Sequence, residues 1–138
     1  MIFKKYSPIG EISSTASQYA DVLSKVGGRP AVICDRDHVI AVSGISKKEV
    51  IERRVSGSLE DLIEQRKSYV LKDNEQKRFN PIEGVDRYAV ACSPILASGD
   101  VNGAVIMLSS DSENDTATAE QSALVQAAAM YFGKQMEE

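Results

Sequence analysis

The sequence contains no tryptophan, one histidine and two cysteines among its 138 residues. A single histidine with Cys34 and Cys92 matches no zinc-ligand spacing, so no metal site is predicted. No apolar run approaches the roughly 20 residues that span a bilayer, and no charged segment leads into an apolar one at the N-terminus. These absences predict a cytoplasmic chain without membrane contact, in which both cysteines are buried, reduced thiols.

Positive charge is also scarce, since 16 lysine and arginine residues stand against 20 aspartate and glutamate residues. Binding to nucleic acid requires a concentrated basic face. The basic residues that do cluster alternate with acidic neighbours, as is typical of a solvated helix face; they are Lys47, Lys48, Arg53 and Arg54. We therefore expect this chain to have negligible affinity for DNA on its own.

Assembled catalytic motifs are missing as well. The sequence has no Ser/His/Asp set, no glycine-rich phosphate loop and no acidic metal cluster. Cys34 and His38 could act as a nucleophile and its base, but Cys34 falls in an apolar run and His38 in the polar turn after it. The sequence therefore predicts no catalytic residues and no cofactor. A cysteine-dependent redox enzyme is the alternative, and it requires a thiol that reacts quickly.

Apolar periodicity predicts a helix at each end of the chain. The first begins at Ser7 and Pro8, a favourable cap and first helical residue, and ends at Gly27 and Gly28. Its apolar stripe consists of Ile12, Ala16, Tyr19, Ala20, Leu23 and Val26. The last helix follows the polar loop 111–118 and continues to the C-terminus.

Short β-branched runs predict strands between these helices. Ala31–Cys34 and Val39–Val42 flank the polar turn 35–38 and predict an antiparallel hairpin. Because both runs are apolar at consecutive positions, we expect both strands to lie centrally in the sheet. Tyr88–Leu96 and Gly103–Ser109 predict a second hairpin, and the latter strand is also expected to be central.

The middle of the chain gives a weaker pattern. Ser46 with Glu49 and Ser58 with Asp61 each have the spacing of a capping box and predict two short helices. Residues 68–87 are typical of an interrupted strand followed by a loop. The order of elements predicts an α+β fold, with an antiparallel sheet of five to six strands and the N- and C-terminal helices packed on one face.

The last helix is apolar around more than half of its circumference. Val125, Ala128, Ala129, Phe132 and Met136 form one stripe, and Ala123, Leu124, Ala127, Met130 and Tyr131 form another. A sheet covers only one helix face, so the second stripe requires the first helix, a partner chain or both. We expect a homodimer through the terminal helices, with the contact residues Tyr19, Leu23, Leu124, Ala128, Tyr131 and Phe132.

Several stretches of the sequence resemble a known family. "SPIL", a Gly-Asp turn and "NGAVIML" are similar to the closing hairpin of GAF domains, which are small-molecule sensor modules. Together with "KKYSPIGEI" and "AVICDRDHVIAVSG", they resemble the C-terminal GAF domains of the stage V sporulation protein T family of transcription regulators, from about Lys4 to Met136. In that family an AbrB-like DNA-binding domain precedes the GAF domain.

The resemblance implies a division of the chain and a regulatory role. Residues 1–7 would be the stub or linker after a missing DNA-binding domain, and residues 8–138 the GAF-like domain. A trimmed fragment and a natural stand-alone relative both fit this division, and the "IFKK" segment, which has nothing else to pair with, favours the fragment. DNA would be contacted only through the missing domain, and the domain itself would not be an enzyme.

The resemblance also nominates positions for an unknown small-molecule effector. The expected pocket residues are Ser43, Gly44, Arg66, Arg78, Tyr88 and Cys92. Arg66 and Arg78 could pair with a carboxylate or phosphate. No cyclic-nucleotide signature is present. The alternative is a purely structural assembly domain whose pocket is filled by large side chains, for which Phe79, Tyr88 and Met107 are available.

Overall fold

The computed structural model describes residues 13–73, 77–110 and 116–137. Its elements, in chain order, are α1 (Ser13–Gly27), β1 (Ala31–Cys34), β2 (Val39–Ser43), α2 (Lys47–Val50), α3 (Gly57–Glu64), β3 (Tyr69–Val70), β4 (Ala89–Ala97), β5 (Asp100–Leu108) and α4 (Ala119–Met136). The strands form one antiparallel sheet in the order β2-β1-β5-β4-β3. The predicted α+β fold is confirmed.

The terminal helices pack side by side on one face of the sheet. The side chain of Gln121, at the start of α4, donates a 2.8 Å hydrogen bond to the carbonyl oxygen of Gly27, at the end of α1. The ring of Tyr19 lies 5.5 Å from that of Tyr131, near the other end of the pair. The two helices are therefore antiparallel, and both cover the same core.

Alternate residues of the central strands divide the core in two. Val105 and Met107 of β5 pack under α1 and α4, whereas Ala104, Ile106 and Leu108 point to the opposite face. We call that opposite side, which α2, α3 and the segments around Val55 and Ile82 cover, the α3 face. Both faces of the sheet are thus buried within one chain.

The structure corrects three local expectations. β2 is an edge strand rather than a central one; its outer edge is partly covered because Val39 exchanges backbone hydrogen bonds with Glu52 and Arg53. Ser46 precedes α2 but forms no side-chain cap. α3 is capped by Ser56, whose hydroxyl accepts a hydrogen bond from Leu59 N, and not by Ser58.

The hairpin between β4 and β5 has the tightest turn in the described chain. Ala97 pairs with Asp100, so the turn contains only Ser98 and Gly99. Both have positive φ, 52° and 84°, which matches the twist of the flanking strands. β5 therefore begins at Asp100, three residues before the predicted start.

The predicted helix start at Ser7 and Pro8 and the proposed linker at residues 1–7 lie outside the described residues. The other end of α1 is as predicted. Gly28 adopts φ 72° and donates its backbone N–H to Ser24 O, which ends the helix.

Candidate functional site

The α3 face is filled by the chain's own side chains. Val50, Leu59 and Ile63 from the helices meet Cys92, Ile106 and other residues of the sheet, and the core residues of this face are at most 9% exposed. Of the three large residues considered as fillers, Phe79 packs on this face, whereas Met107 and Tyr88 pack on the helix side. The chain's own side chains therefore fill this face of the sheet.

Both cysteines lie on this filled face. The thiol of Cys34 lies 3.7 Å from the carbonyl oxygen of Ala104, to which it donates a weak hydrogen bond. Burial raises the pKa of Cys34 to about 12. The pKa of Cys92 is also raised, mainly by burial and further by the charge that Cys34 would carry. Both thiols are thus protonated at neutral pH, and His38 lies in the exposed turn rather than beside Cys34.

Two of the expected pocket residues, Ser43 and Gly44, lie at the junction of β2 with α1. The hydroxyl of Ser43 donates a 2.6 Å hydrogen bond to the carboxylate of Asp21. Gly44 has φ 94°, and its Cα faces Ser24 and Pro30 closely enough that a Cβ would meet both. Their contacts hold the end of β2 against the helix.

The other four expected residues are distributed over three places. Arg66, with φ 57°, donates from Nε to the carbonyl oxygen of Gly99 at 3.0 Å and so holds the hairpin turn. Cys92 is in the centre of the sheet. Arg78 and Tyr88 are brought together, with the guanidinium carbon 5.1 Å from the ring centroid. Among the described residues, these groups do not line one common pocket.

A groove of about 310 Å³ lies beside Arg78, between α3 and the segment 77–79. Its lining residues are Ser58, Asp61, Leu62, Gln65, Tyr69, Lys77, Arg78 and Phe79. Sequence reasoning nominated only Arg78 among them. The others come from a helix, a two-residue strand and a loop that pair only in the folded chain, so no local pattern marks them as one site.

A larger cleft, of about 560 Å³, lies between α2 and the loop 84–87. It contains two arginines, but both are engaged by backbone. Arg53 Nε donates to the carbonyl oxygen of Glu49, and Arg87 Nη1 donates to that of Ser109 at 2.9 Å. These contacts fix loops, and Glu49 and Asp86 balance the charge of the cleft.

The outer side of the α1–α4 pair carries an exposed apolar surface. Val22 and Val26 on α1 are 53% and 66% exposed, and Met130 and Tyr131 on α4 are 67% and 40% exposed. On the same two helices, Tyr19 and Leu124 are half-buried and pack against the core, and the ring of Tyr19 contacts that of Tyr131. We call these six residues the helix-pair stripe.

Three of the six residues expected in the dimer contact are not accessible on this surface. Leu23, Ala128 and Phe132 are 0% exposed because they pack inside the chain's own core, so they cannot form a direct contact with a partner. Tyr19, Leu124 and Tyr131 remain accessible to solvent, as do Val22, Val26 and Met130, which were not among the expected contact residues. The two stripes predicted for α4 are therefore real, and the second is the outward one.

Among the helices of residues 13–73, 77–110 and 116–137, none has the length and hydrophobicity needed to cross a membrane.

Comparison with known proteins gives both a family and a fold. Residues 11–137 match the family described as "Stage V sporulation protein T C-terminal, transcription factor". The chain is 38% identical over 140 residues to stage V sporulation protein T of Bacillus subtilis (strain 168), covering 100% of this chain and 76% of that protein.

Solved structures of GAF domains share the fold at low identity. The GAF domain of a phosphoenolpyruvate-protein phosphotransferase from Coxiella burnetii superposes with a TM-score of 0.66 at 16% identity, covering 91% of this chain and 82% of that one. The GAF domain of the nutrient sensor CodY from Clostridium difficile gives 0.59 at 11%, covering 96% and 99%. The type II free methionine-R-sulfoxide reductase of Thermoplasma acidophilum gives 0.65 at 12%, covering 92% and 94%. At these identities the likeness concerns the fold alone.

Proposed function

Because the chain belongs to the stage V sporulation protein T C-terminal family, we propose that it is a ligand-responsive dimerisation domain of a transcription regulator. The observation that carries the proposal is the helix-pair stripe. It is formed by the two terminal helices, the contact of Tyr19 with Tyr131 joins its two halves, and its four most exposed members are all large apolar residues.

A second copy of this chain is the partner that fits the stripe. A two-fold pairing brings a surface onto itself, so an apolar stripe meets an equally apolar one. Two antiparallel helix pairs stacked in this way would bury the stripe inside a four-helix arrangement, with Val26 towards one end and Met130 towards the other. The small exposed residues Ala123 and Ala127 on α4 permit close approach of the backbones.

Regulation would follow from a shift between two packings of this arrangement. An effector that binds one packing more tightly moves the population towards it. The change reaches DNA through the domain that, on the family resemblance, precedes this one in the full-length regulator. The spacing or orientation of two such domains in a dimer then sets the affinity for an operator with two half-sites.

Charge placed in the stripe tests the dimer. We expect the unmodified chain to sediment as a dimer, and Met130→Glu or Val26→Glu to weaken association by at least about tenfold, because the new carboxylate would have to be buried. Sedimentation velocity over a dilution series measures the effect.

Asn80→Asp is the matched control, since it also adds one carboxylate, at an exposed loop position beside Ser56 and Ile82 and away from α1 and α4. It should leave the dimer intact. A monomeric unmodified chain would contradict the proposal, and so would equal weakening by the control.

The filled α3 face supports a second candidate, a purely structural assembly domain without an effector. A structural assembly domain would dimerise through the same stripe, and its packed core would admit no small molecule. The two candidates differ in whether a small molecule binds at all.

A further inference from the structure

The groove between α3 and the segment 77–79 has the composition of a small-molecule site. From it we infer that the effector is a small carboxylic acid with an apolar side chain, bound on the Tyr69–Phe79 aromatic pair. This inference rests on the ligand-responsive part of the proposed function.

The floor of the groove is apolar and already formed. Tyr69 and Phe79 contact each other edge to face, with ring centroids 5.0 Å apart and an interplanar angle of 80°. The hydroxyl of Tyr69 donates a 3.1 Å hydrogen bond to the carbonyl oxygen of Lys77, which ties the ring to the opposite wall. Leu62, Tyr69 and Phe79 are half-buried and pack on the α3-face core. A ligand would therefore find an ordered hydrophobic surface that needs no opening of the core.

The wall formed by residues 77–79 is cationic. Lys77 is exposed, and Arg78 is held over the Tyr88 ring, so its guanidinium has a defined place. The positive charge of Arg78 also acts on the Tyr69 phenol, where it opposes the rise in pKa that burial causes. Two cations beside an aromatic floor are suited to a carboxylate whose attached group lies on the rings.

The α3 wall is polar and carries one negative charge. Ser58, Asp61 and Gln65 recur at three- and four-residue spacing and so share one helix face. An amino group next to the ligand carboxylate would be balanced by Asp61, whereas a keto group would accept from Ser58 or Gln65. The volume, about 310 Å³, is at the small end of ligand sites and suits a metabolite of amino-acid size.

Calorimetric titration of the whole chain with three compounds of similar size, each with a phenyl ring, tests whether the groove requires a carboxylate. L-phenylalanine and phenylpyruvate carry the carboxylate, and phenethylamine lacks it. We expect both acids to bind and the amine to bind at least about tenfold more weakly, the scale of a lost charge-assisted hydrogen bond. Equal binding of all three, or no binding of either acid at about 10 mM, would overturn the inference.

Substitutions then locate the site. Lys77→Gln and Arg78→Gln should each weaken binding of the acids by about tenfold, and Lys47→Gln, which removes an exposed charge from α2, should not. If Arg78→Gln disturbs the packing over Tyr88, Lys77→Gln decides, because that side chain is exposed. Binding that ignores both substitutions would overturn the inference.

Asp61→Asn distinguishes an amino-acid effector from a 2-keto-acid effector. It should weaken L-phenylalanine and leave phenylpyruvate unchanged. Tighter binding of the amino acid by the unmodified chain assigns an amino-acid effector, and tighter binding of phenylpyruvate assigns a 2-keto acid; both support the inference. Sedimentation of the same samples reports the dimer independently. If the unmodified chain is a dimer and binds neither acid, this inference is contradicted while the proposed assembly stands.

Discussion

Gly103 lies where β5 passes the end of β1. A Cβ at this position would overlap the carbonyl oxygen of Cys34, a backbone atom that cannot rotate away. We expect Gly103→Ala to lower the free energy of unfolding by about 2–3 kcal/mol, since the two strands would have to separate. Urea denaturation monitored by far-UV circular dichroism measures the change.

Gly57→Ala is the comparison for that substitution. Gly57 is the first residue of α3, and a Cβ there meets nothing within 4 Å. The free energy of unfolding should stay the same or rise by about 0.4–1 kcal/mol, because alanine restricts the unfolded chain. Equal destabilisation at both positions would show that the close approach at Gly103 is unimportant.

The two thiols give a prediction about reactivity and pH. Burial raises the pKa of Cys34 from 9.0 to about 12, so its thiolate fraction in the folded state falls on the order of a thousandfold. We expect an aromatic disulfide reagent at about pH 8 to label Cys34 and Cys92 far more slowly in the folded chain than in urea. Rapid labelling of either residue would favour the redox-enzyme alternative.

The same raised pKa values fix the sign of the pH dependence. Between pH 9 and 12 the unfolded chain has lost thiol protons that the folded chain retains. The folded state therefore binds more protons than the unfolded state in this pH window. The contribution of the thiols to stability is complete below pH 9 and is lost as the pH rises from 9 to about 12.

Among the elements, α1 and α4 are joined by Gln121. Its amide oxygen accepts from Thr118 N at 3.0 Å and its amide nitrogen donates to Gly27 O at 2.8 Å, so one side chain serves the start of one helix and the end of the other. Gln121→Ala should lower the free energy of unfolding by about 1–2 kcal/mol through the lost cap and the unpaired carbonyl. Gln126→Ala, at an exposed position of the same helix, should change it by less than about 0.5 kcal/mol. Equal losses in urea denaturation would contradict this role.

Elements with a strong local pattern could be predicted from the sequence. The apolar runs correctly predict β1, β4 and β5, and the pair Gly27 and Gly28 correctly predicts the end of α1. β2 was placed centrally because its run is apolar throughout, yet an edge strand can also be buried when a helix covers it and a loop covers its edge. β3 has two residues and exists only through its pairing with β4, so no periodicity could indicate it.

The candidate site was far less predictable than the fold. Arg78 was identified because its residue type suits an anion, but its neighbours Tyr69 and Phe79 belong to a stretch with weak local pattern. Arg66 was a reasonable choice on the same grounds, and the structure uses it to hold Gly99. Residue type alone does not reveal which long-range contact a side chain makes.

On the scale of the whole molecule, the proposed effector groove and the proposed dimer surface lie on opposite faces of the sheet. The groove belongs to α3, and the stripe belongs to α1 and α4. A change in the groove must therefore cross the sheet, or pass around its edge, to affect assembly.

The two-residue turn between β4 and β5 provides a route around that edge. Gly99 accepts from Arg66, just after α3, and Ser98 donates its backbone N–H to the carboxylate of Glu137 at the end of α4 at 3.0 Å. The carbonyl group of Gly99 is thus bound to the α3 side of the sheet, and the N–H group of Ser98 is bound to the α4 side. The turn is therefore hydrogen-bonded to the residues that follow both helices, and a signal passing around this edge of the sheet would have to use these two contacts.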